Sequence, residues 1–101
     1  MEQYNKLVRD KIPEILDAKG VRYEKWVAEE DEYRQELIRK LEEETDEFAQ
    51  NPTIEELADV MEVVAALQAL PEYAHAEEVR KHKRAERGGF EKRIILKGEK
   101  A

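Results

Sequence analysis

A chain of 101 residues, 41% hydrophobic and 43% charged, can fill one modest core but not two, which predicts a single domain over residues 1–101 that gains from association with further copies. The absence of cysteine excludes disulfides, thiolate metal sites and cysteine nucleophiles. No apolar run approaches the roughly 20 residues that span a bilayer, and the opening MEQYNKLVRDKIPEIL has no leader-like apolar stretch, so the expectation is a soluble cytoplasmic protein without a membrane partner.

The net charge of −7 is unevenly placed: residues 29–62 hold 14 Asp and Glu against 3 Lys and Arg, whereas residues 75–101 hold 9 Lys and Arg against 5 Glu. An acidic middle argues against a general binder of nucleic-acid polymers, whose affinity comes from neutralising phosphates. It suits a site where metal cations and a small anion meet.

In chain order, KIPEILDAK (11–19) has Ile12, Ile15 and Leu16 at helical spacing with Gly20 placed to end the helix. VRYEKWV (21–27) alternates and is rich in β-branched and aromatic residues, which predicts a strand. From Asp31 to about Gln50, Tyr33, Leu37, Ile38, Leu41 and Phe48 mark an amphipathic helix, broken by NPT at 51–53. Thr53 and Glu56 form a capping-box pattern for a helix to about Leu70. Pro71 then restarts the chain, a helix follows over 72–87 to Gly88-Gly89, and KRIIL (92–96) reads as a last strand. Two short strands make sense mainly as a pair, because a lone strand leaves its hydrogen bonds unmade. The predicted fold is therefore an all-α helical bundle with a minor two-stranded β element.

The acids are the informative feature. At about 100° per residue with Leu41 at zero, Leu37, Phe48 and Ile38 fall at about −40°, −20° and +60°, while Glu44 falls at about −60° and Glu47 at about −120°. On the next helix, with Leu57 at zero, Glu56 lies at about −100° among Val60, Leu67 and Val63, and Asp59 adjoins them at about −160°. Each helix thus offers carboxylates at i and i+3, and a short loop makes the helices antiparallel neighbours. Four like charges beside apolar surface require shared protons, basic partners or cations. Carboxylate oxygens without His or Cys select Mg²⁺ or Mn²⁺. Glu42, Glu43 and Asp46 read first as a solvated face.

LEEETDE (41–47) followed by ELAD (56–59) resembles the EExxE and ExxD motifs of the MazG superfamily, all-α nucleoside triphosphate pyrophosphohydrolases. YNKLVRDKIPEIL, DEYRQELIRKLEEETDEF, ELADVMEVV and ERGGFEKRIIL look like its phosphoribosyl-ATP pyrophosphohydrolase-like, or house-cleaning, branch, and the likeness covers nearly the whole chain. The resemblance implies a helical homodimer or dimer of dimers that binds Mg²⁺ through Glu44, Glu47, Glu56 and Asp59. Only eight residues separate Glu47 from Glu56, a shorter gap than the family's usual one, which bears on the inter-helix loop rather than on the ligands.

The implied reaction splits a nucleotide, canonical or damaged, between its α- and β-phosphates to give the monophosphate and pyrophosphate. Cations would neutralise phosphate oxygens and position the attacking water, with Glu43 or Glu47 as general base. Two basic groups are candidates to hold the polyphosphate: Lys6, Arg9 and Lys11, and Lys83, Arg84 and Arg87. For the first the competing reading is a solvated amphipathic N-terminus, and for the second, stabilisation of a helix C-terminus. Tyr4, Trp26 and Phe90 are candidates to stack on a base, against plain core packing, and His75 and His82 read as surface residues. Two other functions compete: a non-catalytic dimeric interaction or regulatory module, and a phosphoribosyl-ATP pyrophosphohydrolase of histidine synthesis.

Overall fold

A computed structural model of the protein describes residues 5–100. Among the described residues every regular element is helical: α1 (Ile12–Ala18), α2 (Glu30–Gln50), α3 (Ile54–Gln68) and α4 (Ala76–Arg87), with one 3₁₀ turn at Pro71–Tyr73. The chain groups into two compact units, Met1–Leu67 and Gln68–Ala101.

In the first unit, α1 opens with Pro13 in its first turn, where a missing N–H costs nothing and the fixed φ suits a helix. It closes in a Schellman arrangement: the Gly20 N–H donates to the Asp17 carbonyl at 3.0 Å and the Val21 N–H to Leu16 at 3.0 Å. Gly20 supplies the left-handed φ of 71° that this closure needs. The following segment folds back along α1 through Tyr23, whose hydroxyl donates to Asp17 Oδ1 at 2.6 Å and lies 3.2 Å from the Pro13 carbonyl.

Glu30, Asp31 and Glu32 fill the first turn of α2, the end at which a helix favours negative charge. Asn51 and Pro52 stop it, and the Asn51 N–H donates to Glu47 at 2.9 Å. Thr53 Oγ1 accepts from the Glu56 N–H at 3.2 Å and so caps α3. The reciprocal half of a capping box is missing, because the Thr53 N–H donates to the Asn51 carbonyl at 2.8 Å, which leaves the Glu56 carboxylate uncommitted. With so short a connection α2 and α3 are antiparallel neighbours. Their buried residues are Leu37, Val63 and Glu44.

The predicted β element is absent: neither 21–27 nor 92–96 is a strand. Alternation describes side-chain placement, whereas a strand also needs a ladder partner. In 21–27 only Tyr23 is even half-buried, and the segment is held by side-chain bonds, with Trp26 Nε1 donating to Glu32 at 3.1 Å. In 92–96 the apolar residues Ile94, Ile95 and Leu96 are left open to solvent.

In the second unit, the helix expected over 72–87 comes in two pieces, the 3₁₀ turn and then α4. Helix α4 carries surface pairs at helical spacing, among them Arg80 to Glu77 and His82 to Glu86, which accords with surface histidines. It ends at Gly88 with φ 82°, after which Arg84 pairs with Glu91. Among the described residues no helix is long and apolar enough to cross a membrane.

Candidate metal centre

Glu44 projects from the C-terminal half of α2 and Glu56 and Asp59 from the first turns of α3, and one carboxylate oxygen of each lies within 4.8 Å of the other two. Oxygens that share a Mg²⁺ at about 2.1 Å stand about 3 to 4 Å apart, so a small closure of the side chains makes a ligand set. Acids in a cluster are common without a metal; two features set this one apart. Glu44 is only 7% exposed, the one charged residue that is buried among the described residues. In addition, two members of the trio each bury an oxygen without a hydrogen-bond partner, Oε2 of Glu44 and Oε2 of Glu56; among the described residues only Oε2 of Glu36, outside the trio, does the same. A buried carboxylate oxygen with no donor is costly unless a proton or cation takes it.

Burial pushes the Glu44 carboxyl above the usual carboxylate range, and the negative charges of Glu47 and Asp59 add to that rise. Lys40 opposes it, with Nζ 3.3 Å from Glu44 and 3.5 Å from Glu43. Glu43 moves the other way: a hydrogen bond from Lys6 at 2.8 Å, helped by Lys40, holds its carboxyl below the usual range despite partial burial.

Of the four expected ligands, the structure brings Glu44, Glu56 and Asp59 together and leaves Glu47 exposed and outside the group, near enough for its charge to bear on Glu44. Of the two candidate bases, Glu43 is tied to two lysines, and a carboxylate stabilised in its charged form is a weak proton acceptor. Glu47 is open to solvent and enters no ion pair among the described residues.

The first basic group stands at the acids. Lys6 binds Glu43, and Arg9 donates to Asp59 Oδ1 at 2.8 Å with Glu62 3.9 Å from its other terminal nitrogen. Lys11 is exposed and enters no ion pair among the described residues. Lys83, Arg84 and Arg87 belong to the second unit, apart from the acids of the first; there Arg87, Gly88, Gly89 and Phe90 help line a hollow of about 700 Å³ made wholly of second-unit residues. Trp26 and Phe90 are exposed rather than core, and Tyr4 lies outside the described residues. Lys40 escaped the sequence reading, although its i+3 and i+4 spacing to Glu43 and Glu44 would have pointed to it.

No protein-family model matches the chain, and neither does any curated protein or solved structure. The residues by themselves define an all-helical unit that holds a partly buried, cation-compatible trio of carboxylates.

Proposed function

We propose that the protein is a Mg²⁺-dependent nucleotide pyrophosphohydrolase, with Mn²⁺ as an alternative ion, that converts a nucleoside triphosphate, canonical or damaged, to the monophosphate and pyrophosphate. The observation that carries this reading is the pair of buried, donor-less oxygens of Glu44 and Glu56, whose carboxylates converge with that of Asp59, in the motifs that resemble MazG EExxE and ExxD. A bound divalent ion would supply charge neutralisation at the phosphates and a polarised water. Glu44, Glu56 and Asp59 hold that ion, with Glu47 joining from the rim or accepting the water's proton. Lys6, Arg9 and Lys11, in the same unit as the acids, receive phosphate oxygens.

The functional form is a homodimer or dimer of dimers. Ile54, Leu57, Met61 and Val64 recur at three and four along α3 and are all exposed, a stripe suited to a second helix. That same stripe favours the runner-up, an interaction module without catalysis. The test is a panel of nucleoside di- and triphosphates, oxidised and deaminated ones included, with pyrophosphate and phosphate read separately. Pyrophosphate release that needs Mg²⁺ or Mn²⁺ supports the enzyme; full turnover in excess EDTA, or no turnover on any member, refutes it.

A further inference from the structure

Arg9 sits on the cluster in a way that a phosphate-binding residue alone does not explain. Its guanidinium donates to Oδ1 of Asp59, one of the three converging acids, at 2.8 Å. Its backbone is anchored, since the Ile12 N–H donates to the Arg9 carbonyl at 3.0 Å as the chain enters α1. Its side chain, by contrast, is 54% exposed and that of Asp59 42%, so a stronger competing charge at the acids can displace their ion pair. A second acceptor stands by, with Glu62 3.9 Å from the other terminal nitrogen of the same guanidinium.

We infer that Arg9 is an internal stand-in for the divalent cation: it neutralises Asp59 while the acidic cluster is empty, and cation binding releases it to receive the substrate's phosphate. This rests on the cation-binding reading of Glu44, Glu56 and Asp59. The physical reason is the sign and size of the charges. A divalent ion among the three carboxylates would stand within a few ångströms of the guanidinium, and a +2 charge repels it more strongly than a half-exposed carboxylate retains it. The freed guanidinium, still tethered at the mouth of the site, is a planar fork matched to phosphate oxygens. Cation and anion affinities are then coupled through one side chain, and by linkage each raises the other.

Two measurements on the full chain test this. In calorimetric titration with Mn²⁺ alone, Arg9→Gln should bind several-fold more tightly than the parent, since the competing charge is gone, whereas Arg9→Lys, which keeps the charge, should stay close to the parent. In the unsubstituted protein, NMR of the Arg9 guanidinium should show rotation about Nε–Cζ hindered without cation and freed at saturating Mg²⁺, a readout that does not depend on any variant folding. Equal or weaker Mn²⁺ binding by Arg9→Gln, or a guanidinium still hindered at saturating Mg²⁺, overturns the stand-in role and leaves the metal site intact. A parent that binds neither ion overturns the metal site and this inference together.

Discussion

Lys40 stands one helical turn before Glu44 with its ammonium 3.3 Å from that carboxylate, and it pairs with the most buried acid among the described residues. The same ammonium is 3.5 Å from Glu43, so a single positive charge holds two adjacent acids on α2. Its side chain is 18% exposed, well below that of a free surface lysine. Replacing it with Met keeps the stem's packing and removes the charge. Breaking a fully buried pair costs about 3–5 kcal/mol; here the head is near solvent and Glu44 can protonate, so the expected loss in EDTA is about 1–2 kcal/mol. Excess Mg²⁺ should close most of the gap. Urea unfolding of parent and Lys40→Met with and without the ion checks both halves, and equal midpoints in EDTA would rule out the role given to Lys40.

The opposite shifts of Glu44 and Glu43 give the metal-free protein a defined pH response. Glu44 has a folded-state pKa above its unfolded value, so between the two the folded form holds more protons, and its contribution to stability falls as pH rises through that window. Glu43 has a depressed pKa; its contribution is present above the unfolded value and is lost as pH falls through the folded one. The two therefore act on opposite sides of the ordinary carboxylate range. Glu44→Gln should remove the decline on the alkaline side and leave the acid-side loss in place. Denaturant midpoints across pH 3 to 8 in EDTA would show it, and a variant that tracks the parent above pH 5 would contradict the assignment.

The exposed stripe on α3 predicts a concentration-dependent assembly. Met61 is 62% exposed in the middle of Ile54, Leu57 and Val64, so a second copy that covers this face would bury it. Met61→Glu places an unpaired charge in that contact and, being exposed in the single chain, costs the fold little. Sedimentation at micromolar concentration should find the parent as a dimer or larger and Met61→Glu as a monomer. A monomeric parent would dispose of the oligomer.

The helices were legible because each carries its own signals: Pro13 and Gly20 bracket α1, Asn51-Pro52-Thr53 separates α2 from α3, and Gly88 ends α4. The convergence of Glu44, Glu56 and Asp59 was legible for the same reason, since helical angle plus a short loop fixes which side chains meet. The strands were not, because whether 21–27 pairs depends on a partner elsewhere in the chain, and Tyr23 finds its partners on α1 instead. Arg9 meeting Asp59, fifty positions away, was equally out of reach: a sequence can show that basic residues exist near the N-terminus but not where the chain brings them. Glu47 shows the limit of angles, since a residue on the edge of an apolar arc can face either way, and here it faces solvent.

Glu56 separates a metal ligand from a structural acid, because the two roles assign opposite effects to one substitution. Among the described residues no ion pair holds Glu56, its backbone N–H is spent on Thr53, and its Oε2 is buried with no donor. Its charge lies close to those of Glu44 and Asp59, and such repulsion at high effective dielectric amounts to about 1 kcal/mol per close pair. Glu56→Gln removes that repulsion while keeping the shape, so in EDTA the variant should be as stable as the parent or more so. In Mg²⁺ the ranking should reverse, because the parent gains from the bound ion by mass action and the variant, short of one ligand, gains less. Hydrolysis should fall nearly to background. Were Glu56 instead a structural partner of a base, its loss would cost several kcal/mol and the gain from Mg²⁺ would be unchanged. Thermal melts of both proteins with and without Mg²⁺, beside one pyrophosphate assay, decide between these. A variant that melts well below the parent in EDTA yet turns over normally in Mg²⁺ would remove Glu56 from the metal centre.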